Sequence, residues 1–220
     1  MEIFHVMNRG VDKRTIFEDD QDRARFVHDM FEFNSTERTK NTGRRQPHLD
    51  AISRRITDRK AIVDIHGWCL MGNHYHLLLS KRTEGGLSDF LKKLNGGFAK
   101  YFNEKNKRVG ALFQGRTRKV GVQTDAHFLY ILHYIHLNPL DFLNGAEQWR
   151  TRRISGVQKT LLYLDQYRWS SYLDYCGEKN FPSVLEQGPF RNIFKNYRRE
   201  LQAYVRSMNF SDSREFLLDE

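Results

Sequence analysis

The chain has 220 residues, enough for a substantial core in one or two domains. Its 36 Lys and Arg against 27 Asp and Glu leave a net charge of +9 and a pI near 9.6, a surplus that favours a polyanionic partner, nucleic acid before a membrane surface. Two cysteines, Cys69 and Cys176, exclude a disulfide framework and a cysteine-based metal site, and no apolar run spans a bilayer or serves as a signal peptide, so a cytoplasmic, nucleoid-associated location is expected.

Ile3–Arg9 reads as a strand stopped by Gly10. Asp19 or Asp20 is placed to cap a helix reaching about Asn34, with Phe26, Val27, Met30 and Phe31 on its buried face. Residues 35–60 are polar and strongly basic, with Arg44-Arg45, Arg54-Arg55 and Arg59-Lys60. Within them Asn41–Pro47 has loop composition and Leu49–Ile56 reads as a short helix. The segment is either a DNA-contacting arm or a solvated loop.

Ala61–Trp68 and His74–Ser80 are strands joined by a Met71-Gly-Asn turn. Side chains alternate across a strand, so His74 and His76 share one face and Tyr75 takes the other. Their Cα atoms are roughly 6–7 Å apart, a spacing at which two neutral imidazoles can grip one divalent metal. The competing reading is a pair of partly buried, hydrogen-bonded strand histidines, since the chain has nine.

Gly85-Gly86 turns the chain into an amphipathic helix, Leu87–Lys105, with Phe90, Leu91, Leu94, Phe98, Tyr101 and Phe102 at helical spacing. The Gly96-Gly97 pair inside it costs helix propensity, which predicts either a close approach to the backbone or a kink. Val109–Gly115 and Thr117–Gln123 read as an extended pair around Arg116. Thr124 or Asp125 caps a helix over His127–Asn138, ended by Pro139. Trp149–Lys159 is a second basic, loop-like stretch, and Tyr167-Arg-Trp169-Ser-Ser-Tyr172 is an aromatic knot able to pack back on the domain. Phe190–Met208 reads as a basic terminal helix, and the acidic tail Glu215–Glu220 is expected to fray. This order of elements predicts an α+β fold, an antiparallel sheet with helices packed on its faces. The expected organisation is a catalytic domain over 1–140, carrying the basic insertion, and a partly helical extension over 141–220.

Tyr134 and Asn138 lie four residues apart and so share one face of their helix. A tyrosine hydroxyl beside a metal-bound phosphate can act as a nucleophile. An amide oxygen from Asn138 would add a hard ligand suited to Mg²⁺ or Mn²⁺. Tyr130, one turn away, is the rival nucleophile, and core packing is the alternative for either tyrosine. A groove for single-stranded DNA needs cations, for which Arg116, Arg118, Lys119, Lys92, Lys93 and Lys100 are the candidates; for the lysines, a solvated helix face competes. The site requires the Tyr134 helix to meet the histidine pair.

Met71-Gly-Asn-His74-Tyr75-His76, Leu112-Phe-Gln-Gly-Arg116 and Tyr134-Ile-His-Leu-Asn138-Pro139, in that order, resemble the single-tyrosine HUH transposases, the IS200-like family. Within it the chain is most similar to the branch of REP-associated tyrosine transposases, through His5-Val-Met-Asn-Arg-Gly10, Leu94-Asn-Gly, Tyr101-Phe-Asn103 and Trp169-Ser-Ser-Tyr172. The resemblance runs from about residue 3 to 175. It departs from the branch in its longer basic insertion and in Leu140-Asp-Phe, where a Val-Arg-Ala-like run is usual. What it implies is an HUH endonuclease core of ferredoxin-like or RRM-like type and a metal-dependent single-strand DNA endonuclease and strand transferase acting beside palindromic hairpins. On that resemblance His74, His76 and Asn138 hold the divalent ion, Tyr134 forms a 5′-phosphotyrosine link, and the protein is a monomer or a homodimer. Two readings compete with it: a hairpin-binding protein without turnover, and a metal-dependent phosphodiesterase that uses water as nucleophile.

Overall fold

The computed structural model describes residues 2–36, 60–146, 148–152, 154, 156–188, 190–194 and 196–207. Four strands, β1 (Ile3–Arg9), β2 (Val63–Leu70), β3 (His74–Lys81) and β4 (Arg118–Gly121), form an antiparallel sheet in the order β2-β3-β1-β4. The described helices are α1 (Asp20–Glu32), α2 (Gly86–Lys105), α3 (Asp125–Leu137), α4 (Val157–Gln166), α5 (Tyr172–Tyr175), α6 (Phe190–Ile193) and α7 (Tyr197–Arg206). The architecture is α+β, with helices on both faces of the sheet.

β1 enters between β3 and β4, pairing from Ile3 opposite Ser80 to Arg9 opposite His74. The first strand of the chain therefore lies against the strand that carries both histidines. Alternation then sorts the side chains. Val6, Tyr75, Leu77 and Leu79 face a core closed by Phe26 of α1 and Phe98 of α2. Ile3, Cys69 and Leu78 face a second core closed by α3 and the segments after it.

Local chemistry starts the helices where expected. The Asp19 side chain accepts from the Asp22 N–H at 2.9 Å to cap α1, and Thr124 accepts from the His127 N–H at 3.1 Å to cap α3. The close approach predicted at Gly96-Gly97 occurs at the second glycine: a Cβ on Gly97 would stand 2.4 Å from the Phe33 ring. At Gly67, beside a bulge in β2, a Cβ would stand 2.8 Å from Leu132, so the missing side chain lets α3 lie down on the sheet. The aromatic knot packs back as expected. Leu70 N–H donates to Trp169 O at 2.9 Å and Ser171 N–H to Trp68 O at 3.0 Å, which occupies the outer edge of β2.

Three elements differ from expectation. Residues 109–115 do not pair with 117–123; they run along the end of β1, with Val11 N–H donating to Leu112 O and Gln114 N–H to Arg9 O. Gly110 and Gly115, both at positive φ (92° and 65°), break the extended run. The terminal helix is two helices, because extended Asn196 (φ −144°, ψ 90°) interrupts it and caps α7 by accepting from the Arg199 N–H at 3.1 Å. In the second basic stretch, Val157 onward is helical rather than loop. The core of the basic insertion (37–59), including Leu49–Ile56, and the acidic tail lie outside the described residues. Among the described residues, no helix is long and apolar enough to cross a membrane.

Candidate active site

β3 leaves the Met71-Gly-Asn turn with His74 and His76 on the face covered by α3. The ring of Tyr134 stands edge-on to that of His76, with centroids 5.7 Å apart and planes at 89°. His74 and His76 are themselves perpendicular neighbours at 4.9 Å. The helix face and the histidine pair thus meet, and both Tyr134 and His76 are fully buried at 0% exposure. Tyr130 lies one turn back, its ring 5.9 Å from that of Tyr134 and 6.2 Å from that of Tyr204.

The ring nitrogens can be assigned from their partners. Asn73 Nδ2 donates to Lys13 O at 3.1 Å, which fixes the amide and turns Asn73 Oδ1 towards His74 Nδ1 at 2.6 Å. An amide oxygen only accepts, so His74 carries a proton on Nδ1, and in the neutral ring its lone pair lies on Nε2. His76 Nδ1 meets His5 Nε2 at 3.0 Å, and the two rings stack at 5.1 Å. His76 Nε2 is buried with no hydrogen-bond partner. Burial above all, then His74, His5, Arg150 and Arg9, hold the His76 imidazole well below the usual histidine range, so it is neutral at pH 7.

Asn138 begins a short 3₁₀ turn, Asn138–Phe142, at the end of α3. Its Nδ2 donates back to Tyr134 O at 2.9 Å, and its Oδ1 accepts from Arg150 Nη2 at 2.7 Å. Arg150 also pairs with Asp141, which accepts from Trp149 Nε1 at 2.7 Å. Asp141 falls in the run where this chain departs from the transposase pattern. The result is a cover: the Trp149 ring lies 5.6 Å from the Tyr134 ring and the Arg150 guanidinium 5.9 Å from it.

One row across the sheet reads Cys69, His76, Met7, Arg118, all on the α3 face. Adjacent strands are about 4.8 Å apart, so Arg118 starts roughly 10 Å from His76. Arg116 and Arg118 line an open cavity of about 350 Å³ together with Arg9, Lys13, Met7, Asn8 and Gln114. The lysines fall elsewhere. Lys119 pairs opposite Val6 on the other face and donates to Ser88 Oγ at 3.2 Å. Lys92 and Lys100 are exposed on α2, whose apolar side covers that same opposite face, and Lys93 there donates to Ser35 O at 3.2 Å. The structure brings Arg116 and Arg118 towards the histidine face and leaves Lys92, Lys100 and Lys119 on the opposite layer. Arg9, at a strand end, and Arg150, inside a stretch read as loop, are cations near the site that pattern reasoning missed; only their basic character was visible.

Behind Tyr134, α3 is anchored by a buried polar chain. Tyr197 OH lies 2.6 Å from His136 Nδ1 and 3.2 Å from His133 Nδ1, and His136 Nε2 lies 2.7 Å from Ser171 Oγ. One phenol can donate once, so it donates to one histidine and accepts from the other. Ser171 Oγ accepts from Trp68 N–H at 2.9 Å, which ties the chain to β2.

Among the described residues no group of three or more His, Cys, Asp or Glu is placed to hold a metal. The atoms whose chemistry suits a divalent ion are the His74 and His76 Nε2 atoms, that of His76 buried without a hydrogen-bond partner; the amide oxygen of Asn138 is of the right type but accepts here from Arg150.

A four-stranded antiparallel sheet with helices on both faces and a histidine pair under a tyrosine helix defines this as an α+β protein with a buried polar site on one face. The chain belongs to the IS200-like transposase family, whose model matches residues 4–138. No curated protein matches the chain. A solved structure of a REP-associated tyrosine transposase bound to a REP hairpin is similar over 84% of each chain, at 10% identity and a TM-score of 0.46.

Proposed function

We propose that this transposase-family protein nicks and rejoins single-stranded DNA beside palindromic hairpins, with Tyr134 as nucleophile and His74, His76 and Asn138 as holders of Mg²⁺ or Mn²⁺. The observation that carries the reading is the Tyr134 ring 5.7 Å from His76, on the face where His76 Nε2 has no hydrogen-bond partner. A divalent ion bound there would neutralise phosphoryl charge as the strand is cut. Tyr134 Oη forms a bond to the scissile phosphorus while the bond to the 3′-oxygen breaks. The phenol gives up one proton and the departing oxygen takes one, leaving a 5′-phosphotyrosine and a free 3′-hydroxyl. Run backwards, the same step joins ends with no external energy source. Arg9, Arg116 and Arg118 line the cavity beside the site and supply the positive charge that a DNA backbone requires. Tyr134 is buried beneath Trp149 and Arg150, so the strand reaches it once that turn moves aside.

The test is incubation with a hairpin-bearing single-stranded oligonucleotide and Mn²⁺, with a denaturing gel to reveal a covalent protein–DNA band. Tyr134→Phe abolishes the band and leaves hairpin binding within about twofold of wild type, because only the nucleophilic oxygen is removed. A band of full strength in Tyr134→Phe defeats the assignment and turns attention to Tyr130. A second reading, a hairpin-binding protein without turnover, is favoured by the same cover and by the hold of Arg150 on Asn138 Oδ1. It requires hairpin binding by the wild-type chain with no covalent band in either Mn²⁺ or Mg²⁺.

A further inference from the structure

The cover over Tyr134, the Tyr197 chain and the basic cavity all belong to the reading above. His5 does not: it is no part of the ligand set or the nucleophile, although it is 1% exposed and touches both halves of the site. Its ring stacks on His76 at 5.1 Å and meets Tyr134 edge-on at 5.7 Å. The placement follows from register. Met7 sits opposite His76, so His5 is the diagonal neighbour on the same face, within reach of a ring-to-ring hydrogen bond.

We infer that His5 is a positioning residue which accepts a hydrogen bond from His76 Nδ1–H and thereby holds the His76 lone pair on Nε2, where a divalent cation can use it. The 3.0 Å contact between His5 Nε2 and His76 Nδ1 admits two arrangements. If His5 donated, His76 would carry its proton on Nε2, and that atom is buried without a partner. A buried N–H with no acceptor is among the costliest and rarest defects in a folded protein, whereas a bare lone pair is cheaper and is what a metal takes. If His5 accepts, the orphaned N–H disappears, and His5 keeps its own proton on Nδ1. His74 shows the same design independently: its Nδ1 donates to Asn73 Oδ1, which leaves its lone pair on Nε2. The two histidines then present equivalent atoms, each oriented through its other nitrogen by a neighbour, as metal-binding imidazoles are. One neighbour is the residue before His74; the other comes from a strand some seventy positions away.

The inference rests on the metal-site reading, and two measurements separate their failures. Nitrogen-15 NMR of the full chain without metal, at neutral pH, reads the tautomer of each histidine directly. The expected result is Nδ1–H for both His5 and His76; Nε2–H on His76 overturns the inference whatever the metal does. Calorimetric titration with Mn²⁺ is the second measurement. His5→Phe keeps a flat ring but removes the acceptor, and it weakens Mn²⁺ binding about 10–100-fold. His5→Gln, whose amide oxygen can accept from Nδ1–H, recovers most of that loss, which filling of the space alone would not produce. Equal affinity in wild type and His5→Phe refutes the positioning role. A wild-type chain with the expected tautomers that binds no Mn²⁺ refutes the metal site instead, and the inference falls with it.

Discussion

The two faces of the sheet are built from the same strands and solve opposite problems. On the α1/α2 face, rings pack on rings, with Phe98 5.2 Å from Phe17 and 5.1 Å from Phe26. Several polar groups there close on one another: Tyr75 OH donates to Asn95 Oδ1 at 2.7 Å, and Asn95 and Asn8 both donate to Thr117 Oγ1, while Trp68 Nε1 is buried without a hydrogen-bond partner. On the α3 face, several buried histidines (His5, His74, His76, His133 and His136 among them) sit among the apolar residues, and His76 Nε2 has no hydrogen-bond partner. A face built for packing alone would not bury this many imidazoles, because each costs desolvation and demands partners. One face holds the domain together. The other carries a stability cost in the desolvated rings of His76, His133 and His136, whose burial disfavours their charged forms.

That contrast can be broken most heavily from the packing side. Phe98→Ala empties a site that α2 and α1 share and lowers stability by about 3–5 kcal/mol. If the proposed nicking activity is present, its yield per folded molecule stays unchanged, since Phe98 lies behind the sheet. Chemical denaturation and the covalent-band assay on one preparation check both halves, and a band lost at full foldedness would sink the division of labour.

Acid attacks the other face. Burial pushes the His133 imidazole down to about 4 from its ordinary 6.5. Its folded value lies below its unfolded one, so this contribution is complete above pH 6.5 and is lost as pH falls towards 4. A shift of that size is worth about 3 kcal/mol. Urea unfolding at pH 7 and pH 4.5 measures the loss, and His133→Phe flattens that pH dependence. An unaltered slope in His133→Phe would show that other groups carry the acid sensitivity.

The smallest effect sharpens the comparison at a single oxygen. Tyr197→Phe leaves one buried N–H and one lone pair of His133 and His136 without their shared partner and costs about 1–3 kcal/mol. The equivalent change on the packing face, Tyr75→Phe, removes a link from a chain in which Asn95 retains Thr117 as a partner, and it costs less. Matched denaturation curves rank the two, and equal costs would show that the two faces tolerate a lost hydroxyl alike.

Reading the residues alone located the candidate site residues but not all their neighbours. His74 and His76 share a face because a strand alternates, Tyr134 and Asn138 share one because a helix turns every 3.6 residues, and Thr124 and Pro139 bound that helix by capping and by a missing N–H. The glycine at 97 announced a close neighbour without naming Phe33. Each of these is a local rule, fulfilled within one element.

Which faces meet is a different matter. That β1 lies beside β3, setting His5 against His76, is a choice of strand partner and register made by the whole core. So is the arrival of Arg150 at Asn138 Oδ1 from a stretch that reads only as basic loop. The lysines of α2 were plausible DNA contacts by composition, yet the side on which that helix packs carries them to the opposite layer from His76. Periodicity tells a side chain which way to point within its own element. Only the burial of two separate cores, one on each side of a single sheet, tells the elements where to stand.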